Sequence, residues 1–128
     1  MPMGPQRSIL IVEDDHALRR MFRHALSVAG YAVSETADGI NALRFIELLR
    51  PDLIVLDLGL PLMSGLDVQR EVAAHANTQN VIVVVVTGSA DELDGLAVDC
   101  VLRKPVSPDH LVDVVEKCFA AHAKRDVG

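Results

Sequence analysis

Residues 8–15, Ser-Ile-Leu-Ile-Val-Glu-Asp-Asp, join a short apolar run to three consecutive acids. The run has no polar face, which is typical of a strand buried on both sides of a parallel sheet. From Asp15 onward the apolar residues follow the spacing of an amphipathic helix, and Gly30 is the kind of residue that commonly ends one. A buried strand that leads directly into an amphipathic helix predicts a βα unit.

The same alternation continues along the chain. Further strands are predicted at 53–56, 81–86 and 100–103, with a weaker one at 31–36. Helices are predicted after Asp38, at about 66–76 and from Pro108 to about Lys124, and a capping box at Ser89-x-x-Glu92 starts a short one. This pattern predicts one α/β domain, a doubly wound parallel sheet with helices on both faces. We expect the domain to span residues 8–123, with loose tails at 1–7 and 124–128.

Composition narrows the classes of protein that this chain can represent. Its 128 residues are 50% hydrophobic and 23% charged, which excludes general disorder, and the net charge of −6 argues against nucleic acid or an anionic membrane as a direct partner. The longest apolar run is too short to cross a bilayer. Cys100 and Cys118 have no C-x-x-C spacing, so we expect two small core residues without a disulfide framework, in keeping with a cytoplasmic location.

Polar residues that could take part in catalysis or ligand binding follow four of the predicted strands. In an open parallel sheet, ligands bind at the carboxyl ends of the strands. The residues at these ends are Glu13, Asp14 and Asp15, then Asp57, Thr87 and Lys104. Each alone could be a helix cap, a turn residue, a strand residue or a solvated lysine, but together they predict one site.

Electrostatics indicates what this site holds. Two carboxylates about 4 Å apart repel by about 4 kcal/mol at an effective dielectric constant of about 20, so the acids need a cation to stay ionised. Carboxylate oxygens suit Mg²⁺, which retains waters and accepts a phosphate oxygen. With a lysine and a hydroxyl nearby, the pattern predicts a site for a phosphoryl group and Asp57 as its nucleophile.

These motifs resemble the receiver domains of response regulators in two-component signalling. The resemblance extends from about Ser8 to Ala123 and rests on Ile-Leu-Ile-Val-Glu-Asp-Asp, on Pro51 to Gly65 around Asp57, on Val-Val-Thr87-Gly88 and on Lys104-Pro105. It implies a flavodoxin-like, five-stranded sheet of order 2-1-3-4-5 with five flanking helices, the fourth of them short or irregular. It also implies a cis peptide bond between Lys104 and Pro105.

The resemblance further implies a role for each site residue. Glu13 and Asp14 would bind Mg²⁺, Asp57 would be both a metal ligand and the phosphoacceptor, and Gly59 would offer its carbonyl to the metal. Thr87 and Lys104 would contact the phosphoryl oxygens. The expected phosphodonor is a sensor histidine kinase or a histidine phosphotransfer protein, and the downstream partner is left open. Such a domain phosphorylates and dephosphorylates itself without being a dedicated turnover enzyme.

The sequence leaves three other functions open, and one position departs from the family pattern. A receiver-like module that binds partners without phosphorylation is the main alternative. An aspartate-nucleophile hydrolase usually has a second Asp where this chain has Gly59, and a flavodoxin-like electron carrier needs more aromatic residues than the 3% present. Val101 occupies the position of the family's switch aromatic, which predicts an unconventional output face. The chain could be a single-domain regulator, a phosphorelay shuttle or the receiver of a larger protein.

Overall fold

The structure, a computed structural model, describes residues 6–88 and 98–127 of the chain. Its elements in chain order are β1 (Ser8–Val12), α1 (His16–Val28), β2 (Ala32–Thr36), α2 (Gly39–Leu49), β3 (Leu53–Asp57), α3 (Gly65–Ala74), β4 (Ile82–Thr87), β5 (Cys100–Arg103) and α4 (Pro108–Val127). The five strands are parallel and lie in the order β2-β1-β3-β4-β5. The predicted doubly wound sheet and its strand order are confirmed.

Apolar residues of the central strands alternate between two cores. On β1, Ile9 and Ile11 face Phe22 and Leu26 of α1 and the buried stripe of α4, whereas Leu10 packs with the α2 and α3 helices. Residues of β3 and β4 alternate in the same way, because successive strand side chains point to opposite faces. The continuous apolar runs of the sequence therefore fill both faces of the sheet.

Local capping signals fix several helix ends. The Asp15 carboxylate accepts a hydrogen bond from the Leu18 N–H at 2.8 Å, and Asp38 does the same for Asn41. At the end of α1, Gly30 has φ +104°, a conformation that glycine adopts without strain, and the Tyr31 N–H donates to the Leu26 carbonyl. These three ends agree with the sequence prediction.

The structure corrects the expectation about the termini, and one of the five expected helices falls outside the described residues. The last helix reaches Val127, so residues 124–127 are helical where we expected a loose tail. Gln6 and Arg7 are also hydrogen-bonded to the domain. Gln6 Nε2 donates to the Gly30 carbonyl, and the Arg7 carbonyl accepts the Ala32 N–H. Four helices lie within the described residues, and α4 is the one predicted from Pro108. The expected short fourth helix, with its capping box at Ser89, falls on residues 89–97, outside the described ranges.

The expectation of two unpaired cysteines was wrong. Cys118 is buried in the core as expected, but it forms a disulfide with Cys100 that joins β5 to α4. The physical reason is tertiary: packing of α4 against the sheet brings the two Cα atoms to 7.0 Å, although 18 positions separate the residues in sequence. Across the two described ranges, every helix is too short or too polar to pass through a bilayer.

Candidate functional site

The strand register brings the polar strand-end residues to one edge of the sheet. Val12 of β1 pairs with Leu56 of β3, so Glu13 and Asp57 follow at adjacent positions. On the other side of β3, Asp57 pairs with Val86, which places Thr87 one residue farther along β4. Thr87 pairs with Arg103 of β5, and its carbonyl accepts the N–H of Lys104 at 2.9 Å. The four strand ends that we singled out are thus neighbours.

Three carboxylates converge at this edge. Glu13, Asp14 and Asp57 each offer an oxygen within 4.8 Å of the other two. Glu13 and Asp57 are almost completely buried, with 1% and 5% of their surface exposed, whereas Asp14 is exposed. The fourth acid, Asp15, caps α1 and lies outside this set.

Lys104 balances part of this negative charge. Its Nζ lies 3.4 Å from Glu13 Oε1 and 3.4 Å from Asp57 Oδ2. Burial alone would lower the pKa of Lys104, but the charges of Asp57 and Glu13 outweigh it and raise the pKa. The ammonium is therefore a stable cation shared between two carboxylates.

Glu13 is the most strongly perturbed group of the site. Burial raises its pKa to about 7, with the nearby Asp57 carboxylate acting in the same direction. The Asp15 N–H, which donates to Glu13 Oε2 at 3.1 Å, and the Lys104 charge oppose the rise. The positive charge of Lys104 therefore does not fully offset the cost of burying Glu13 as an anion.

The buried oxygen of Glu13 tests whether a metal ion fits this site. Oε1 is buried and makes no directed hydrogen bond, although Lys104 Nζ is within ion-pair distance. An oxygen in this condition carries an unmet desolvation cost, which a divalent cation bound by the three acids would offset. The donor set consists of carboxylate oxygens, which suits Mg²⁺. The residues present therefore fit the expected ion.

Two glycines allow the loop after β3 to lie close to the phosphoacceptor candidate, Asp57. The Gly59 N–H donates to Asp57 Oδ1 at 3.1 Å, which orients the carboxylate. Gly65, at the start of α3, lies so close to the backbone that a Cβ there would overlap the Asp57 carbonyl and sit 2.6 Å from the Leu58 Cα. The sequence includes Gly65 only in the motif around Asp57, because a close approach between backbones leaves no local signal.

The remaining expectations for the site differ in outcome. Thr87 is buried at the end of β4, and the Lys104–Pro105 peptide bond is cis as the resemblance implied. Val101 is 41% exposed on the edge strand β5. Arg19 of α1, which the sequence did not assign to the site, donates to the Glu13 carbonyl at 2.9 Å.

The sequence that forms this site matches a known protein family. The family model for the response regulator receiver domain matches residues 9–116. The chain belongs to this family. It is a receiver domain of two-component, phosphorelay signalling, of the chemotaxis-regulator-like type, and is not a conventional enzyme.

Individual relatives agree with this assignment. The DNA-binding response regulator MtrA of Mycobacterium tuberculosis is 37% identical over 109 residues, which cover 84% of this chain and 48% of that protein. The receiver domain therefore spans about half the length of the curated relatives that it matches. The chemotaxis response regulator CheY4 of Vibrio cholerae is 25% identical with a TM-score of 0.83, over 89% of this chain and 99% of that one.

One solved structure bears on the metal. The receiver domain of the sensor histidine kinase PA1611 from Pseudomonas aeruginosa PAO1 has a magnesium ion coordinated in its active-site cleft. It is 29% identical to this chain, with a TM-score of 0.83 over 91% of this chain and 99% of that one. A related receiver domain thus holds Mg²⁺ in its active-site cleft, and the present chain has a cluster of three acids that could hold a metal ion.

Proposed function

We propose that this receiver domain accepts a phosphoryl group on Asp57 in a Mg²⁺-dependent reaction and that the modification switches its interactions with partners. The observation that carries the proposal is the meeting of Glu13, Asp14 and Asp57 within 4.8 Å, with Lys104 at 3.4 Å from Asp57. A cluster of three acids, two of them buried, is costly for the fold, and phosphoryl transfer is a use that requires both the acids and the lysine.

Each residue has a proposed part in the reaction. An oxygen of the Asp57 carboxylate attacks the phosphorus of a phosphohistidine, the P–N bond breaks, and the leaving imidazole keeps the electron pair. The Lys104 ammonium and the Thr87 hydroxyl pair with oxygens of the transferred group. Water later hydrolyses the acyl phosphate, which returns Asp57 to its free form.

The proposed metal ligands are Glu13, Asp14, Asp57 and the carbonyl of Gly59. Mg²⁺ held by these residues would supply positive charge beside the transferred group. Without it, the phosphoryl oxygens would meet three carboxylates and one ammonium. The proposal therefore requires that phosphorylation depend on the ion.

An open groove beside Lys104 is the proposed docking surface for the phosphodonor. It has a volume of about 680 Å³ and is lined by residues of α1 and of the segment after β5, among them Leu18, Lys104 and Pro105. We propose a sensor histidine kinase or a histidine phosphotransfer protein as the donor, in the cytoplasm, and a receiver unit that includes the predicted span 8–123 and the end of α4 at Val127. The net charge of −6 supports a domain without direct contact to nucleic acid or membrane.

Intact-protein mass spectrometry after incubation with acetyl phosphate tests the proposal. We expect one phosphoryl adduct that requires Mg²⁺, is absent from Asp57→Ala and persists in the control Asp67→Asn, which removes an exposed acid on α3. No adduct on the native chain, together with failure to bind beryllofluoride, would overturn the proposal. That result would favour a receiver-like module that binds partners without phosphorylation.

A further inference from the structure

Arg19 connects the backbone at Glu13 and Asp14 to helix α1 and strand β2. It lies one turn into α1, and its side chain is only 13% exposed. Nη1 donates to the Glu13 carbonyl at 2.9 Å, Nε contacts Glu35 Oε1 at 3.3 Å, and Nη2 lies 3.0 Å from His16 Nδ1. All three nitrogens of the guanidinium are therefore engaged, which is the geometry in which arginine fixes its partners most firmly.

These contacts hold the Glu13 backbone from two sides. The Glu13 N–H donates to the Thr36 carbonyl of β2 at 3.1 Å, while the Glu13 carbonyl accepts from Arg19. Glu35, the second partner of Arg19, is the neighbour of Thr36 on the same strand and pairs in register with Ile11. The Glu13 backbone is thus anchored to β2 through its N–H and to α1 through its carbonyl, which belongs to the peptide that links Glu13 to Asp14.

Glu35 provides a charged anchor for this arrangement. Burial alone would raise the pKa of Glu35, but its bonds to Arg23 and Arg19 outweigh burial and lower the pKa. Arg23 contacts Glu35 Oε2 at 3.1 Å, is 53% exposed and does not bond to Glu13. Arg19 and Arg23 therefore share one partner, and of the two it is Arg19 that also bonds the Glu13 carbonyl.

We propose that Arg19 is a positioning residue, which orients the Glu13–Asp14 peptide so that both carboxylates are directed toward a divalent cation. This inference rests on the proposed function, because it concerns the same Mg²⁺ site. Arg19 acts through the backbone and does not contact the carboxylate oxygens that would bind the ion. Residues that orient metal ligands in this way commonly account for a ten- to hundredfold part of the affinity.

An electrostatic role and a positioning role of Arg19 predict opposite changes in Mg²⁺ affinity when Arg19 is removed. If its only effect were electrostatic, removing a positive charge near the acids would tighten the binding of Mg²⁺. If it positions the Glu13–Asp14 peptide, removing it would weaken the binding, because the two carboxylates would no longer be held in one arrangement. The sign of the change in affinity therefore separates the two effects.

The experiment is calorimetric titration of the full chain with Mg²⁺ for the native protein, Arg19→Gln and Arg23→Gln, with urea unfolding as the check on folding. We expect Arg19→Gln to bind Mg²⁺ about tenfold more weakly. Arg23→Gln loses the same charge and a bond to the same glutamate, and we expect its affinity to be unchanged or slightly higher. Arg19→Lys should fall between Arg19→Gln and the native protein, because one ammonium cannot reproduce the fork of contacts.

Equal affinities of Arg19→Gln and Arg23→Gln would overturn the positioning role while leaving the proposed function intact. If Arg19→Gln does not fold, Arg19→Lys is compared with Arg23→Lys, and equal affinities in that pair would have the same meaning. A native chain that neither binds Mg²⁺ nor becomes phosphorylated would overturn the proposed function, and the role of Arg19 would fall with it. Saturating Mg²⁺ should restore the phosphorylation rate of Arg19→Gln, as expected of a residue that acts on ion binding.

Discussion

Raising the pH in the absence of divalent cations should destabilise this receiver domain through a single buried carboxyl group. The pKa of Glu13 is about 7 in the folded protein against 4.5 as its ordinary value, mainly because the group is buried. A carboxyl with a raised pKa binds its proton more tightly in the folded state than in the unfolded state. Its contribution to stability is therefore fully present below about pH 4.5 and is lost as the pH rises through about 7.

The size of this effect follows from the two pKa values. At about 1.4 kcal/mol per pKa unit, a change from 4.5 to about 7 corresponds to about 3.5 kcal/mol of unfolding free energy. Most of this falls between about pH 5 and about pH 8. The pKa of Glu35 is lowered and that of Lys104 is raised above 10.5, so both act outside this pH range.

Urea unfolding followed by far-ultraviolet circular dichroism, with a chelator present, measures the effect. Glu13→Gln is the matched control, because its amide remains neutral at every pH. We expect the native protein to lose about 2–3 kcal/mol more than this variant between about pH 5 and about pH 8. Mg²⁺ should stabilise the native protein more at the upper end, where no proton competes for Glu13. Parallel stability curves for the two proteins would refute the reasoning.

Three further substitutions probe how the fold supports the site. Gly65→Ala places a methyl group against the Asp57 carbonyl and should cost about 1–3 kcal/mol in urea unfolding and weaken Mg²⁺ binding measured by calorimetry. Asp15→Ala removes the cap that accepts the Leu18 N–H and should cost about 1 kcal/mol in thermal unfolding with phosphorylation retained. Phe22→Ala leaves a cavity under α1 and should cost about 3–5 kcal/mol in urea unfolding.

Each of these three expectations has a result that would contradict it. Gly88→Ala is the control for Gly65→Ala, because a Cβ at Gly88 meets nothing within 4 Å, and equal losses in the two variants would contradict the steric explanation. Asp38→Ala removes the equivalent cap from α2. If Asp15→Ala alone abolished Mg²⁺ binding, Asp15 would belong to the ligand set. A Phe22→Ala protein as stable as the native chain would show that the core collapses around the missing ring.

Most of the fold was predictable because its signals are local. The buried run at Ser8–Val12, the capping residues Asp15 and Asp38 and the turn at Gly30 each act within a few residues, and the structure places them as expected. The pairing of Cys100 with Cys118 was not predictable in this way. It depends on how α4 packs against β5, and no spacing in the sequence reports that packing.

The sequence could predict that these strand-end residues lie near one another, but it could not predict the environment around each of them. The strand-end rule brings together Glu13, Asp57, Thr87 and Lys104 as soon as the strand order is known. The rule says nothing of burial, and the structure makes Glu13 almost inaccessible while its neighbour Asp14 is exposed. The contact of Arg19 with the Glu13 carbonyl was equally hidden, because it joins a helix side chain to the backbone of the preceding turn.

The placement of Lys104 gives a physical reason for a lysine at this position. Its Nζ is shared between Glu13 and Asp57 at equal distances of 3.4 Å. An ammonium is a compact charge on a flexible stem, so it can turn toward a new anion without losing a paired geometry, which an arginine fork would have to break. A phosphoryl group on Asp57 would be such an anion. Under the proposed function, Lys104 stabilises the two acids of the unphosphorylated site and would pair with the phosphoryl oxygens after phosphorylation. The same cation would therefore stabilise both states of the site.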